Sequence, residues 1–217
     1  MLDPKFFRYY ERDWVRLPSV TTVLQMLPEP DWVRMWKERI GPEQYKIEME
    51  WYGDRGTTIH LMCENYFLGK NEPLPTDPKL GKFVAWFNYF TMAYKHLFGE
   101  VLEIEWELFS EEIGIAWRFD IVFELWGLLT LTDWKTSTNS RLDAMQKARY
   151  TMQLSAYWKI WNATHERQID QAMIVLFSDS KKNGLWEVLI ITKEELEKAW
   201  KEFSVILLMF QMTYPNT

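Results

Sequence analysis

Residues 119–138 read FDIVFELWGLLTLTDWKTST. Two apolar runs flank Trp126-Gly127, the pattern of two strands joined by a tight turn. With a two-residue loop, Leu125 comes opposite Leu128, and pairing outward from there brings Asp120 opposite Asp133. Residues so opposed have Cα atoms about 4.5–5.5 Å apart, and like charges in that relation destabilise a sheet. The stretch therefore predicts a compensating cation. Lys135 lies two residues after Asp133 and so shares its face. A divalent ion held by oxygen ligands, Mg²⁺ or Mn²⁺, compensates the carboxylates better still. The plain alternative is a surface ion pair where the strand exits into a turn. A one-residue slip in register would separate the two acids onto opposite faces.

The periodicity on either side supports a sheet. VLEIEWELF (101–109) alternates, with Leu102, Ile104, Trp106 and Leu108 on one face and Glu103, Glu105 and Glu107 on the other. IGIAWRFDIVFEL and LLTLTDWK continue as two further strands. Residues 142–163 return to a helical pattern, QIDQAMIVLFS and LWEVLII to strand, and Thr192 caps a final helix.

The N-terminal part reads as helices. Ser19 caps LPSVTTVLQML, Gly41 stops EPDWVRMWKERIG, and a third helix starts after Pro42. That helix bends near Gly53 and ends at Gly69; a loop, NEPLPTDP, precedes an amphipathic helix over 78–98. The expectation is an α/β (α+β) fold, a central mixed β-sheet flanked by helices, forming one domain over 1–217. Residues 1–98 are its mainly helical N-terminal part, and 99–217 its sheet core and C-terminal helix.

Bulk properties narrow the classes. The 217 residues carry a formal charge of −6, which argues against a broadly basic nucleic-acid-binding coat but leaves room for a local basic groove. A single cysteine, Cys63, excludes an intramolecular disulfide and a four-cysteine zinc or iron–sulfur site. The longest apolar run, VILLMF (205–210), is too short to span a bilayer, and the N-terminus lacks an apolar signal core. A cytoplasmic protein without membrane contact is expected. The 13 tryptophans belong mostly to a core, with some free to stack on bases from a groove.

Two helical segments add candidates. His60 and Glu64 in RGTTIHLMCEN are four apart and share one face. Gln153 and Tyr157 do the same in YTMQLSAYW. Taken singly, each reads as a structural or solvated helix residue.

The succession RGTTIH, FDIV, TDWKTS and QLSAY resembles the PD-(D/E)XK nuclease superfamily. The likeness is to its RecB-type exonuclease branch, and most to the mitochondrial genome maintenance exonuclease and related phage nucleases, to which PSVTTVLQ and DWKT also fit. The resemblance covers roughly residues 17–160 and implies a restriction-endonuclease-like core. It implies that His60, Asp120, Asp133 and the backbone carbonyl of Trp134 ligate Mg²⁺ or Mn²⁺, without an iron–sulfur cluster. Lys135 would be the catalytic lysine, acting with Asp133, Asp120 and Gln153. Glu64 and Glu107 become candidates for a second metal or for support of the first. Arg55, Arg118, Thr136, Ser137 and Tyr157 become candidates for DNA contact, with Arg141 and Lys147 beside them. Relatives often carry a glycine shortly before the metal-binding aspartate, where AWRFD has Trp117.

The implied activity is metal-dependent DNA exonuclease cleavage of single strands or free ends, in recombination, repair or phage genome processing, including in an infected host cell. A structure-specific endonuclease is the alternative, followed by a non-catalytic nucleic-acid-binding module. A glycoside hydrolase would use paired carboxylates and tryptophans but leaves Lys135 and QLSAY unexplained.

Overall fold

The computed structural model describes residues 2–139, 141–178 and 187–215. The chain begins with two short strands, β1 (Tyr9–Arg12) and β2 (Val15–Pro18), and the helices α1 (Val20–Val23), α2 (Asp31–Phe67) and α3 (Gly81–Tyr94) follow. Strands β3 (Phe98–Ile104), β4 (Glu107–Ser110), β5 (Ile115–Arg118), β6 (Ile121–Leu125) and β7 (Leu128–Ser137) come next. Helix α4 (Ala144–Thr164), β8 (Gln171–Ser178), β9 (Glu187–Ile191) and α5 (Lys193–Thr213) complete the order.

Trp126 and Gly127 both take positive φ, 56° and 77°, as a two-residue hairpin turn of the mirror-image type requires. β6 and β7 pair in the expected register, from Leu125 opposite Leu128 to Ile121 opposite Thr132. The next pair outward is Asp120 and Asp133.

The main sheet has the order β3-β6-β7-β8-β9. Its pairs are antiparallel except β7 with β8, which are parallel and joined through α4. A parallel pair needs such a crossover. Both faces of the sheet are covered. Val122, Leu131 and Ile174 point into one core with α1, α4 and α5; Ile121, Phe123, Trp134 and Val175 point into another with α2 and α3. The alternation along β6 and β8 reflects the two-residue period of a strand. This is an α/β fold with a mixed sheet flanked by helices, consistent with a restriction-endonuclease-like core.

Several boundaries differ from expectation. VLEIEWELF is two strands rather than one, because Glu105 takes φ 50° and breaks the extended run. IGIAWRFDIVFEL breaks opposite it, at Phe119-Asp120. The hairpin nevertheless keeps one register through the break: Ile104 faces Ile121 and Glu107 faces Arg118. Glu105 N–H donates to the Asp120 carbonyl at 2.8 Å and Phe119 N–H to the Trp106 carbonyl at 3.1 Å. β4 and β5 thus leave the main sheet as a separate two-stranded arm.

Gly41, at φ 76° and ψ 164°, interrupts the helical backbone as expected, so α2 is two helical segments meeting at a kink, the second running from Pro42 through Gly53 to Phe67. The amphipathic helix is shorter than 78–98, because Phe98 already pairs with Leu125 in β3. The β1–β2 hairpin is unforeseen; its turn residues, Asp13 and Trp14, are not the glycine-containing pair that marks such turns. Ser19 and Thr192 cap helices as expected. Leu185 and Trp186 of LWEVLII lie outside the described residues. Among the described residues, no helix is long and apolar enough to cross a membrane.

Candidate metal and catalytic site

Glu105, just past the end of β3, Asp120, just before β6, and Asp133 of β7 form one lateral row at the point where the β4–β5 arm bends away. Three adjacent carboxylates repel one another, and each has its own compensating partner. Glu105 pairs with Arg118 at 3.1 Å. Asp120 takes the Trp134 backbone N–H on Oδ2 at 2.6 Å and has His60 Nδ1 at 3.2 Å from Oδ1. Asp133 holds the Lys135 ammonium at 2.6 Å.

Asp133 and Lys135 alternate with Trp134 along β7, so Trp134 enters the α2–α3 core while the acid and the amine face α4. Gln153 meets them there from α4: its Nε2 donates to Asp133 Oδ1 and its Oε1 accepts from Lys135 Nζ, both at 3.5 Å. The same Nε2 donates to the Tyr157 hydroxyl at 2.6 Å. The capping box of Asp143 and Gln146 starts α4 and so sets its turn phase. His60 comes from the second half of α2, beyond the Gly41 kink.

The electrostatics follow from burial. Asp133 is 3% exposed. Burial pushes its carboxyl above the usual range, Lys135 opposes that and Asp120 adds to it. For Lys135, burial disfavours the charge, but Asp133, Tyr150 and Asp120 outweigh it and hold the amine above its ordinary value. His60 behaves alike: burial pulls it down, Asp120 more than restores it, and the net direction is up. Burial and the Asp120 charge raise Glu105, against Arg118. Tyr150 places its ring 4.8 Å from the Lys135 ammonium.

His60, Glu105 and Asp120 each offer a ligand atom, and these lie within 4.8 Å of one another. One imidazole nitrogen and two carboxylates, one of them buried, suit a divalent cation, whose charge would relieve the row of acids. The set differs from the expected one. Glu105 joins it, whereas the near oxygen of Asp133 is held by Lys135. Glu107 is turned away, 3.5 Å from Arg12 on the arm. Nothing in the sequence distinguishes Glu105 from Glu103 or Glu107, because a four-residue loop, 111–114, separates β4 from β5 and leaves the opposing register open. Glu64 pairs with Lys70 at 3.8 Å and lines a cleft of about 350 Å³ with His60, Glu105 and Arg118.

The predicted DNA-contact residues separate. Arg55, Thr136 and Ser137 line a second, larger cleft of about 860 Å³, with Arg55 Nε donating to Thr136 Oγ1 at 3.3 Å. Tyr157 is 0% exposed and stacks on Trp117 at 5.7 Å, so it supports Gln153 and its side chain is closed to a DNA strand. Lys147 is drawn to Glu187 at 2.9 Å, and Trp51 packs against the α2–α3 core. Arg141 is exposed. Trp117 also lies under the Arg8 guanidinium at 5.0 Å.

Neither a protein-family model nor a curated protein matches the chain. Among solved structures, a "putative exonuclease" from Eubacterium rectale superposes with a TM-score of 0.50. It is 13% identical, over 75% of this chain and 69% of that one, a likeness of fold alone. A second structure, SSO0001, aligns at TM-score 0.37 with 16% identity over 62% of each chain. The chain thus shares its fold with that structure and carries a His–Glu–Asp cluster with the donor set for a divalent metal ion.

Proposed function

We propose that this protein is a metal-dependent deoxyribonuclease of the PD-(D/E)XK type, an exonuclease acting on single-stranded DNA or free ends. One observation carries the reading: Asp133, Lys135 and Gln153 converge beside the His60–Glu105–Asp120 cluster, whose His60 and Glu105 line an open cleft. His60, Glu105 and Asp120 would hold Mg²⁺ or Mn²⁺, with Asp133 and the Trp134 carbonyl alongside. Such an ion supplies Lewis-acid polarisation of a phosphate and acidification of bound water.

The remaining work falls to the chain's own groups. The Lys135 ammonium stabilises negative charge developing on the phosphoryl oxygens. Asp133 holds that amine charged and aimed, and Tyr150 holds it from the other side. Gln153, fixed by Tyr157, sets the spacing between acid and amine. Arg118, which lines the cleft beside Glu105, would contact a phosphate. The fold alone does not imply this chemistry; the residue set supports it, and a role in recombination, repair or phage genome processing follows from the same reading.

The test is digestion of end-labelled linear and of circular single strands with Mg²⁺ or Mn²⁺. Cleavage of linear strands from an end, abolished by EDTA, Asp133→Ala or Lys135→Ala, is expected. Cutting of circles makes the enzyme an endonuclease, and full activity in EDTA or in either variant removes the site assignment.

A further inference from the structure

The 860 Å³ cleft differs in character from the acidic site beside it. It lies between residues from both sides of the Gly41 kink in α2, the end of β7 and the start of α4, and Thr136 and Ser137, which follow Lys135 along β7, line it. Aromatic side chains from α2 line it: Trp32, Trp36 and Tyr52. Trp36 stacks on Tyr52 at 6.4 Å with 25° between planes, and Trp32 is 50% exposed. Among the described residues its charged lining side chains are Arg39 and Arg55, with no acidic one, in a protein of net charge −6. Arg55 sets its guanidinium 4.8 Å from the Tyr52 ring centroid while bonding Thr136, which ties the aromatic wall to the strand that carries Lys135. The volume falls within the ordinary range of ligand pockets, about 300–1,000 Å³.

Flat rings beside the exposed Arg39 suit the two parts of an unpaired nucleotide, its base and its phosphate. Paired bases in a duplex keep their faces covered by stacking and could not use the rings. We infer that this cleft binds unpaired bases of single-stranded DNA, with Trp32 and Trp36 as stacking platforms and Arg39 as a phosphate contact. The inference rests on the nuclease reading for the identity of the strand, and it extends that reading by assigning a binding subsite away from the reacting groups. Binding there is tolerant of sequence, since every base presents a face to stack on.

The experiment measures binding apart from cleavage. A fluorescein-labelled twelve-residue oligothymidylate is titrated by anisotropy in EDTA against wild type, Trp32→Ala, Trp32→Phe and Arg39→Gln, with a blunt hairpin duplex as comparison. Loss of a stacking ring weakens single-strand binding by about 5- to 150-fold, so Trp32→Ala is expected in that range and Trp32→Phe close to wild type. Arg39→Gln is expected to reduce the slope of log affinity against log salt by about one. Trp32 is half exposed, so Trp32→Ala should keep the wild-type circular dichroism; if it does not, intrinsic tryptophan quenching by oligothymidylate in wild type and Trp32→Phe decides. Unchanged single-strand affinity in Trp32→Ala, equal affinity for the duplex, or absent quenching overturns the subsite. Loss of binding in Trp32→Ala with no cleavage by wild type under any metal keeps the subsite and discards the nuclease reading.

Discussion

Lys135→Met would expose a conflict between stability and chemistry within the site. Asp133 is 3% exposed, and Lys135 at 2.6 Å is the cation that compensates it. The Gln153 amide, a long neutral hydrogen bond at 3.5 Å, cannot replace the lost positive charge. Removing one partner of a buried pair costs about 3–5 kcal/mol. In a chain of this length each kcal/mol moves the melting temperature by about 2–4 °C, so Lys135→Met should lower it by roughly 6–20 °C at pH 8. The deficit has a definite pH dependence. Burial already raises the Asp133 carboxyl, with Lys135 opposing, and without Lys135 it rises further. An acid whose folded-state pKa is raised loses stability as pH climbs from its unfolded pKa to the raised value. The deficit should therefore be full at pH 8 and shrink toward the ordinary carboxylate range. Replacing both members, Asp133→Asn with Lys135→Met, removes the buried charges together and should melt within a few degrees of wild type, because apolar or neutral replacement of a buried pair is close to neutral. Differential scanning calorimetry in EDTA at pH 8 and pH 5 measures all of this. The reasoning fails if Lys135→Met melts with wild type at pH 8, or if the double variant melts no higher than the single one.

Three further outcomes are expected. Glu105→Gln should weaken Mn²⁺ binding more than about tenfold by titration calorimetry, while Glu107→Gln leaves it unchanged, since Glu107 is paired with Arg12 on the arm; the reverse result would return the ligand role to Glu107. Cys63 is 1% exposed, and burial holds its thiol well above the usual range, so a disulfide reagent should label it only as the protein unfolds in urea, and stoichiometric labelling of the native protein would contradict that burial. Gly127→Ala introduces a Cβ at φ 77° with no neighbouring atom within 4 Å, so its cost is conformational alone, about 1–2 kcal/mol by chemical denaturation; an unchanged midpoint would mean that the turn is not held in that conformation.

The sequence by itself was sufficient wherever the determining interaction is local. Trp126-Gly127 specified a two-residue turn, and the turn set the register that brings Asp120 opposite Asp133. Strand period placed Lys135 beside Asp133, helix period placed Gln153 over Tyr157, and side-chain caps marked the starts of α1 and α5. That Glu105 rather than Glu107 lies within ligand distance of His60 and Asp120 was decided elsewhere, at a bend where a non-glycine residue takes positive φ because the opposing strand holds it there. Tertiary packing alone buried Tyr157 against Trp117 and carried the Trp32–Trp36 face of α2 over the end of β7. The physical reason is separation along the chain: turns and periods act across a few residues, whereas the choice of which equivalent acid faces His60 depends on contacts some 45 positions apart, and no local preference distinguishes the candidates.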